Sequence, residues 1–324
     1  MPDQFTRDKA EPSTRSGVLL IDKPAGLTSH DVVARTRRIA GTRKVGHAGT
    51  LDPMATGLLV LGVNTSTRLL TYVVGLDKEY LATIRLGVAT TTDDREGELV
   101  SVAPSGAIGV ITAADIRSGI TDLTGDIEQT PSSVSAIKVD GKRAYALVRE
   151  GVEVKLTARP VTVSEFEVLE QRSASTPDGA AVIDLDVRVV CSSGTYIRAL
   201  ARDLGSSLGV GGHLTALRRT RIGPFGVSEA FDLETVVVAE ALEGPAATAS
   251  RLFETLDLTA PQSVDLGHGK KLELGDDVPD AAGPVAAIAP DGRLVGLVSI
   301  SAGRAKTLVN FPPDPQQTPS GASA

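Results

Sequence analysis

Apolar and polar residues recur along the chain with periods that mark out its elements. "GVLLIDK" (17–23) is an apolar run of strand length that stops at Lys23-Pro24 and a Gly26 turn. Val32, Val33, Thr36 and Ile39 then recur at helical spacing, with Ser29 as the expected N-cap, Gly41 as the stop, and Arg35 and Arg38 on the other face. "LLVLGV" reads as a buried strand and "TSTRLLTYVVG" as a helix. In "KEYLATIRLG", Tyr80, Ala82, Ile84 and Leu86 alternate with Leu81, Thr83 and Arg85, the pattern of a half-buried strand. "TAADIRSGI" is a short helix, and "SAIKVDGKRAYALVREG" reads as a strand, an Asp140-Gly141 turn and a helix. "ARPVTVSEFEVLEQ" and "AVIDLDVRVVCSSG" are two strands joined by a polar loop, and "TYIRALARDLGSSLG" is a helix closed by Gly209.

Strands and helices are mixed, adjacent strands look like hairpins, and no strand–helix–strand unit with a glycine fingerprint repeats. The expected class is α+β, with a mixed or antiparallel central sheet and flanking helices. Residues 1–16 read as a disordered extension, 17–231 as the main domain and 232–249 as a linker or helix. Residues 250–312 carry short apolar runs broken by Gly, Pro and Asp, as in a small β-rich domain, and 313–324 read as a disordered tail.

Composition narrows the partners. The 324 residues carry a net charge of -7, which on its face disfavours a polyanionic partner. The acid is concentrated at the end, however: residues 229–324 hold 6 Lys+Arg against 14 Asp+Glu, and the first 228 hold 27 against 26. Basic clusters stand at Arg35, Arg37, Arg38, Arg43 and Lys44, at Lys142 and Arg143, and at Arg218, Arg219 and Arg221. Each alone could be a solvated face. One cysteine, Cys191, excludes an internal disulfide and a cysteine-rich zinc site, and four histidines without ligand spacing suggest no metal. No apolar run has the length of a membrane span, and the first residues lack a secretory core, so a cytoplasmic protein is expected.

The chemistry reduces to a carboxylate. "GHAGTLDPMATGLL" lacks the Gly-Lys-Ser/Thr of a phosphate loop, and the chain has no Gly-x-Ser-x-Gly elbow or zinc deaminase signature. Asp52 is either a turn residue before Pro53 or a reactive carboxylate at the floor of a site. A carboxylate is a nucleophile without a helper base, and in a dry site it needs a nearby cation to stay ionised. Arg198, two residues after Tyr196 and following Gly194, is a candidate for that cation, though a surface role fits its position too.

"LLIDKPAGLTSHDVV", "HAGTLDPMATGLL", "KEY", "PSSVSAIKVDGKRAYALVREG", "SSGTYIRALARDLG" and "LTALRRTRIGPF" occur in that order over residues 17–228. Together they resemble the tRNA pseudouridine synthase B family (TruB). The C-terminal stretch is similar to that family's RNA-binding PUA domain only in position and in its Gly-punctuated runs. The resemblance implies the pseudouridine synthase fold and isomerisation of uridine 55 in the T-loop of tRNA, with the T-arm stem-loop as partner. It implies no cofactor, no membrane and no obligate protein partner.

By motif match Asp52 would be the nucleophile, Tyr80 the tyrosine that stacks on the uracil, and Arg198 the arginine paired with the aspartate. His47 would support the flipped nucleotides, Leu217 would line the pocket, and Tyr196 and Lys23 would also lie at the substrate. Arg35, Arg37, Arg38, Lys142, Arg143, Arg218 and Arg219 become candidate phosphate contacts, which position RNA without reading it. A tRNA-binding chaperone is the alternative, but a pure binder has no need for Asp52, Tyr80 and Arg198 together. A carboxylate hydrolase is disfavoured because no second acid accompanies Asp52.

Overall fold

The computed structural model describes residues 15–132, 138–139, 142–143, 157–275 and 277–314. In chain order the strands are β1 (Gly17–Lys23), β2 (Val45–Ala48), β3 (Thr56–Val63), β4 (Lys78–Leu86), β5 (Val88–Thr90), β6 (Leu99–Val102) and β7 (Gly125–Gln129). Then come β8 (Lys138–Val139), β9 (Lys142–Arg143), β10 (Arg159–Ser175), β11 (Ala181–Cys191), β12 (Gly212–Ile222), β13 (Phe225–Gly226) and β14 (Phe231–Asp232). The last five are β15 (Thr255–Asp257), β16 (Leu272–Glu273), β17 (Val285–Ile288), β18 (Leu294–Ser301) and β19 (Arg304–Asn310).

The chain divides into two compact units, and the boundaries read from the sequence at 231 and 250 both fall inside the first of them. The first comprises residues 1–52, 58–74 and 224–324. There β1 pairs in parallel with β14, with Ile21 opposite Phe231, and β2 pairs antiparallel with β3, with His47 opposite Leu61. The helix Ser29–Ile39 closes this layer by burying Val32 and Val33 against Leu19, Ile21, Leu59 and Leu61. Its N-cap is Thr28 rather than Ser29: the Thr28 hydroxyl accepts from the Asp31 N–H at 3.1 Å, and the Asp31 carboxylate accepts from the Thr28 N–H at 2.9 Å. That reciprocal pair satisfies two of the donors a helix start leaves open. Gly41 follows the helix at φ 63°, a left-handed turn that suits glycine.

The same unit contains a second sheet, in the order β15, β17, β18, β19, β16. Its core is Leu258, Leu266, Val285, Ala287, Val295 and Val298, and a further cluster joins Leu69 to Ala249, Leu294, Leu297 and Phe311. The chain from 250 is thus β-rich, as its punctuated apolar runs suggested. Ser16 and Asp314, assigned from sequence to the flanking extensions, meet instead: the Ser16 N–H and hydroxyl both donate to the Asp314 carboxylate at 2.6 Å.

The second unit comprises residues 53–57 and 75–223. Its sheet runs β12, β4, β11, β10, β7 with antiparallel neighbours, and the first residues of β3 add a parallel contact, Thr56 and Gly57 opposite Arg218 and Arg219. The sheet is therefore mixed. Gly57 sits at φ 101°, and a Cβ there would lie 2.2 Å from the Arg219 carbonyl oxygen, so only glycine allows this pairing. The helix Ile197–Ser207 buries Ile197, Ala199, Leu200, Ala201 and Leu204, and Leu204 meets Gly119 of the helix Ala113–Asp122. Strand β12 is an element that the sequence pattern did not announce. Its register shifts between Leu214 and Ala216 and again between Arg219 and Arg221, which breaks the period-two alternation a strand is read by. β8 pairs antiparallel with β9, Lys138 opposite Arg143, and both the anticipated Asp140-Gly141 turn and the helix anticipated after it lie outside the described residues.

Candidate active site

Leu51 is buried, and one hydroxyl fixes its backbone: Ser29 Oγ accepts from the Leu51 N–H at 2.9 Å and donates to the Leu51 carbonyl at 3.2 Å. Since Ser29 is the first residue of a capped helix, the chain immediately before Asp52 is anchored to a rigid element. Asp52 is itself half-buried, and the chain passes from the first unit to the second at the Asp52–Pro53 bond. His47, on β2, stands edge-on to His30 with ring centroids 5.6 Å apart. Lys23 is 0 % exposed, and its ammonium donates to the carbonyls of Pro24 and Leu27 at 2.9 and 2.7 Å. It braces the turn between β1 and the helix, which gives the lysine anticipated at the substrate a buried, positioning place instead.

In the second unit Tyr80 lies on the buried face of β4, 7 % exposed. Leu217 and Arg219 on β12 stand opposite Ala82 and Tyr80, so all four share one face, because directly opposed residues in an antiparallel pair point the same way. Arg219 is 1 % exposed, which corrects its anticipated place in a surface track of phosphate contacts. Arg218 points to the other face and donates to Thr56 Oγ1 at 3.4 Å.

Arg198 is 5 % exposed at the start of its helix, where its Nη1 donates to the Thr92 carbonyl at 3.0 Å and to Asp94 Oδ2 at 3.2 Å. Asp94 is also buried, and its other oxygen accepts from Thr92 Oγ1 and the Glu96 N–H. Asp93 beside it adopts φ 59° and pairs with Arg202 at 3.2 Å, while burial pushes its carboxyl up. A planar guanidinium braced this way is aimed as well as charged. Tyr196 provides the backbone cap of the same helix: its N–H donates to Gln129 Oε1 and its carbonyl accepts from Gln129 Nε2.

The structure thus brings Tyr80, Leu217 and Arg219 to one face and sets Arg198 on a carboxylate that sequence reasoning missed. The signal for Asp94 was present in "TTTDDREG": Asp94 accepting from a residue two before it and one two after it is turn chemistry, leading to Gly97. Arg37 and Arg38 are exposed on the first helix, with Arg37 also donating to the Val45 carbonyl, and Arg35 is ion-paired with Glu234. Lys142 and Arg143 lie on β9, and their side chains are outside the described residues. Among the described residues no cluster of three or more His, Cys, Asp or Glu could hold a metal, and no helix is long and apolar enough to cross a membrane.

Three family models match: "TruB family pseudouridylate synthase (N terminal domain)" over 37–197, "tRNA pseudouridylate synthase B C-terminal domain" over 198–256 and "tRNA Pseudouridine synthase II, C terminal" over 253–312. The chain is 62% identical over 299 residues to tRNA pseudouridine synthase B of Leifsonia xyli, covering 92% of this chain and 97% of that one. It is 54% identical to the protein of that name from Arthrobacter, covering 93% and 98%. Among solved structures it is similar to a Cbf5-Nop10-Gar1 complex (TM-score 0.65, 25% identity, 92% of this chain and 85% of that one). A structure of an H/ACA RNP bound to a substrate RNA containing 2'-deoxyuridine matches in fold (TM-score 0.65, 24% identity, 92% and 86%). The mixed sheet with its flanking helices is the pseudouridine synthase fold, the scaffold of a class of RNA uridine isomerases. Within that class, the chain belongs to the tRNA pseudouridine synthase B family.

Proposed function

We propose that the protein isomerises uridine 55 in the T-loop of tRNA to pseudouridine, with Asp52 as nucleophile. The observation that carries this reading is the near end-to-end match, at 62% identity, to a tRNA pseudouridine synthase B. Two features of the chain support it. The residue before Asp52 is clamped to a helix start, and Arg198 and Tyr80 are held on rigid elements rather than on loops.

The reaction breaks the C1'–N1 glycosidic bond, turns the uracil and joins C1' to C5; the C5 proton leaves and N1 gains one. Nothing is added or removed overall, so the chemistry calls for no cofactor. A stacked base is out of reach, so the nucleotide must first be turned out, and His47 is placed in the role of support for the disrupted stack. Tyr80 stacks on the extruded uracil and receives the C5 proton, and Leu217 packs beside it. Arg198 is the cation assigned to the catalytic carboxylate, since a desolvated carboxylate without one takes up a proton. The exposed arginines of the first helix hold T-arm phosphates. Action on tRNA makes the cytoplasm its place of work.

The test is Asp52→Asn. Release of tritium from C5-labelled uridine in tRNA is expected to vanish, with tRNA affinity changed less than about threefold. Full turnover by this variant would end the nucleophile assignment, whereas a wild type that binds tRNA without releasing tritium would leave the non-catalytic tRNA-binding reading in its place.

A further inference from the structure

The helix Ser29–Ile39 divides its residues between two sides. Ser29, Val32, Val33 and Thr36 face inward and are buried, whereas His30, Asp31, Ala34, Arg37 and Arg38 are exposed. Residues 30, 34, 37 and 38 fall at i, i+4, i+7 and i+8, which sets them along one solvent stripe of the helix. The two arginines stand at its C-terminal end and His30 at its N-terminal end, about 10 Å away along an axis that rises roughly 1.5 Å per residue. There the His30 ring meets the ring of His47 on β2 edge-on, with centroids 5.6 Å apart and planes at 77°. His47 is half-buried and His30 exposed, so the pair opens to solvent. Ser29, the residue before His30, holds the backbone of Leu51. One helix turn thus anchors the aspartate loop through Ser29 and stands against His47 through His30.

The helix itself gives no reason for an imidazole at this place. A first turn favours acidic side chains, a part that Asp31 already plays through its reciprocal bonds with Thr28. Histidine is a weak helix former, and an exposed ring adds little to a core. We propose that His30 is a second RNA-contacting residue, whose exposed ring joins that of His47 in a two-ring platform for the nucleotides turned out of the T-loop. The inference rests on the role of His47 given above and deepens it. Bases stack on aromatic side chains, histidine included, whatever their sequence. Two rings set nearly at right angles form a corner: a base lying on the face of one meets the edge of the other, an arrangement that aromatic rings prefer to a flat sandwich. The stripe continues from this corner to Arg37 and Arg38, so a strand whose bases enter the corner keeps its phosphates on the side of the guanidiniums.

The experiment measures single-turnover tritium release from C5-labelled T-arm RNA over a range of enzyme concentrations, which separates half-saturation from limiting rate. It compares wild type, His30→Ala, His30→Phe, His47→Ala and the double alanine variant, with a thermal melt of each. A titration of fluorescently labelled T-arm RNA with the same proteins adds a readout that needs no activity. In His30→Ala both half-saturation and the dissociation constant are expected to rise about fivefold or more, the lower end of what a lost base–aromatic stack costs, with the melting temperature unmoved because the ring is exposed. His30→Phe should return both towards wild type. The double variant should lose less than the product of the two single losses, since rings of one platform are coupled. Wild-type binding and half-saturation in His30→Ala overturn the inference, as does a loss that phenylalanine fails to repair, a loss that tracks a lowered melting temperature, or single losses that multiply cleanly. If His47→Ala binds and turns over like wild type, the role of His47 fails instead and takes the platform with it. If wild type releases no tritium, the proposed reaction fails, and the RNA titration still decides for or against His30.

Discussion

The Ser29 hydroxyl is the smallest part on which the aspartate loop depends. It gives and receives a hydrogen bond at Leu51, both of them buried. Ser29→Ala leaves the buried Leu51 N–H without that acceptor, a loss of about 1–3 kcal/mol. Because the strain falls on the residue before Asp52, we expect conversion of tRNA uridine to drop further than stability does. A urea melt alongside tritium release separates the two, and an unchanged rate in a destabilised protein would show that the clamp serves folding alone. From sequence Ser29 looked like the helix cap, since a cap and the residue after it are equally good candidates when Thr28 and Ser29 are adjacent. Only the position of Asp31, three residues after Thr28, separates them. Asp94 was harder to read, because a short polar loop shows no period, and the partner that gives Asp94 its meaning lies 104 residues away. Arg219 looked like its half-buried neighbour Arg218 for the same reason: side-chain direction follows a register that two bulges had shifted.

Elements with a clean period were legible in outline. β4 and β11 alternate as their sequences do, and the helices at 29, 113 and 197 begin within a residue or two of where their patterns start. β12 was not legible, yet it carries Leu217 and Arg219 and also His213, whose ring is buried with Nδ1 2.8 Å from the Val88 carbonyl. Burial holds the His213 imidazole below its usual range. Unfolded, the ring takes its proton near pH 6.5; folded, it resists until the pH is lower, so the unfolded chain binds more protons in between. Its contribution to stability is therefore full above the unfolded pKa and is lost as pH falls below it. The melting temperature is expected to decline as pH drops from about 7.5 to about 5.5, and His213→Asn should flatten that decline. An equal slope in the variant would assign the acid sensitivity to other groups.

Across the whole molecule, net charge and RNA binding pull in opposite directions. A chain at -7 should be repelled by a polyanion, and 14 of its acids lie in the last 96 residues against 6 bases. What rescues binding is that charge acts locally: beyond a Debye length, about 8 Å at physiological salt, the acidic segment is screened from a phosphate held elsewhere. Not every base is available, however. Arg85, Arg172, Arg188, Arg202 and Arg221 are tied to carboxylates, Arg219 is buried, and Arg35 is paired with Glu234. Arg37 and Arg38 stay exposed at the C-terminal end of their helix, where no ion pair claims either among the described residues. Two phosphates engaged by that pair would release about two counterions, so Arg37→Glu with Arg38→Glu should flatten the slope of log affinity against log salt by roughly 1.5. Affinity should fall most at low salt, where repulsion by the new carboxylates is least screened. Titrating tRNA binding by the double variant across a salt series reads this directly. A parallel line, lower but with the wild-type slope, would mean that the helix contacts no phosphate and that the RNA track runs over other bases.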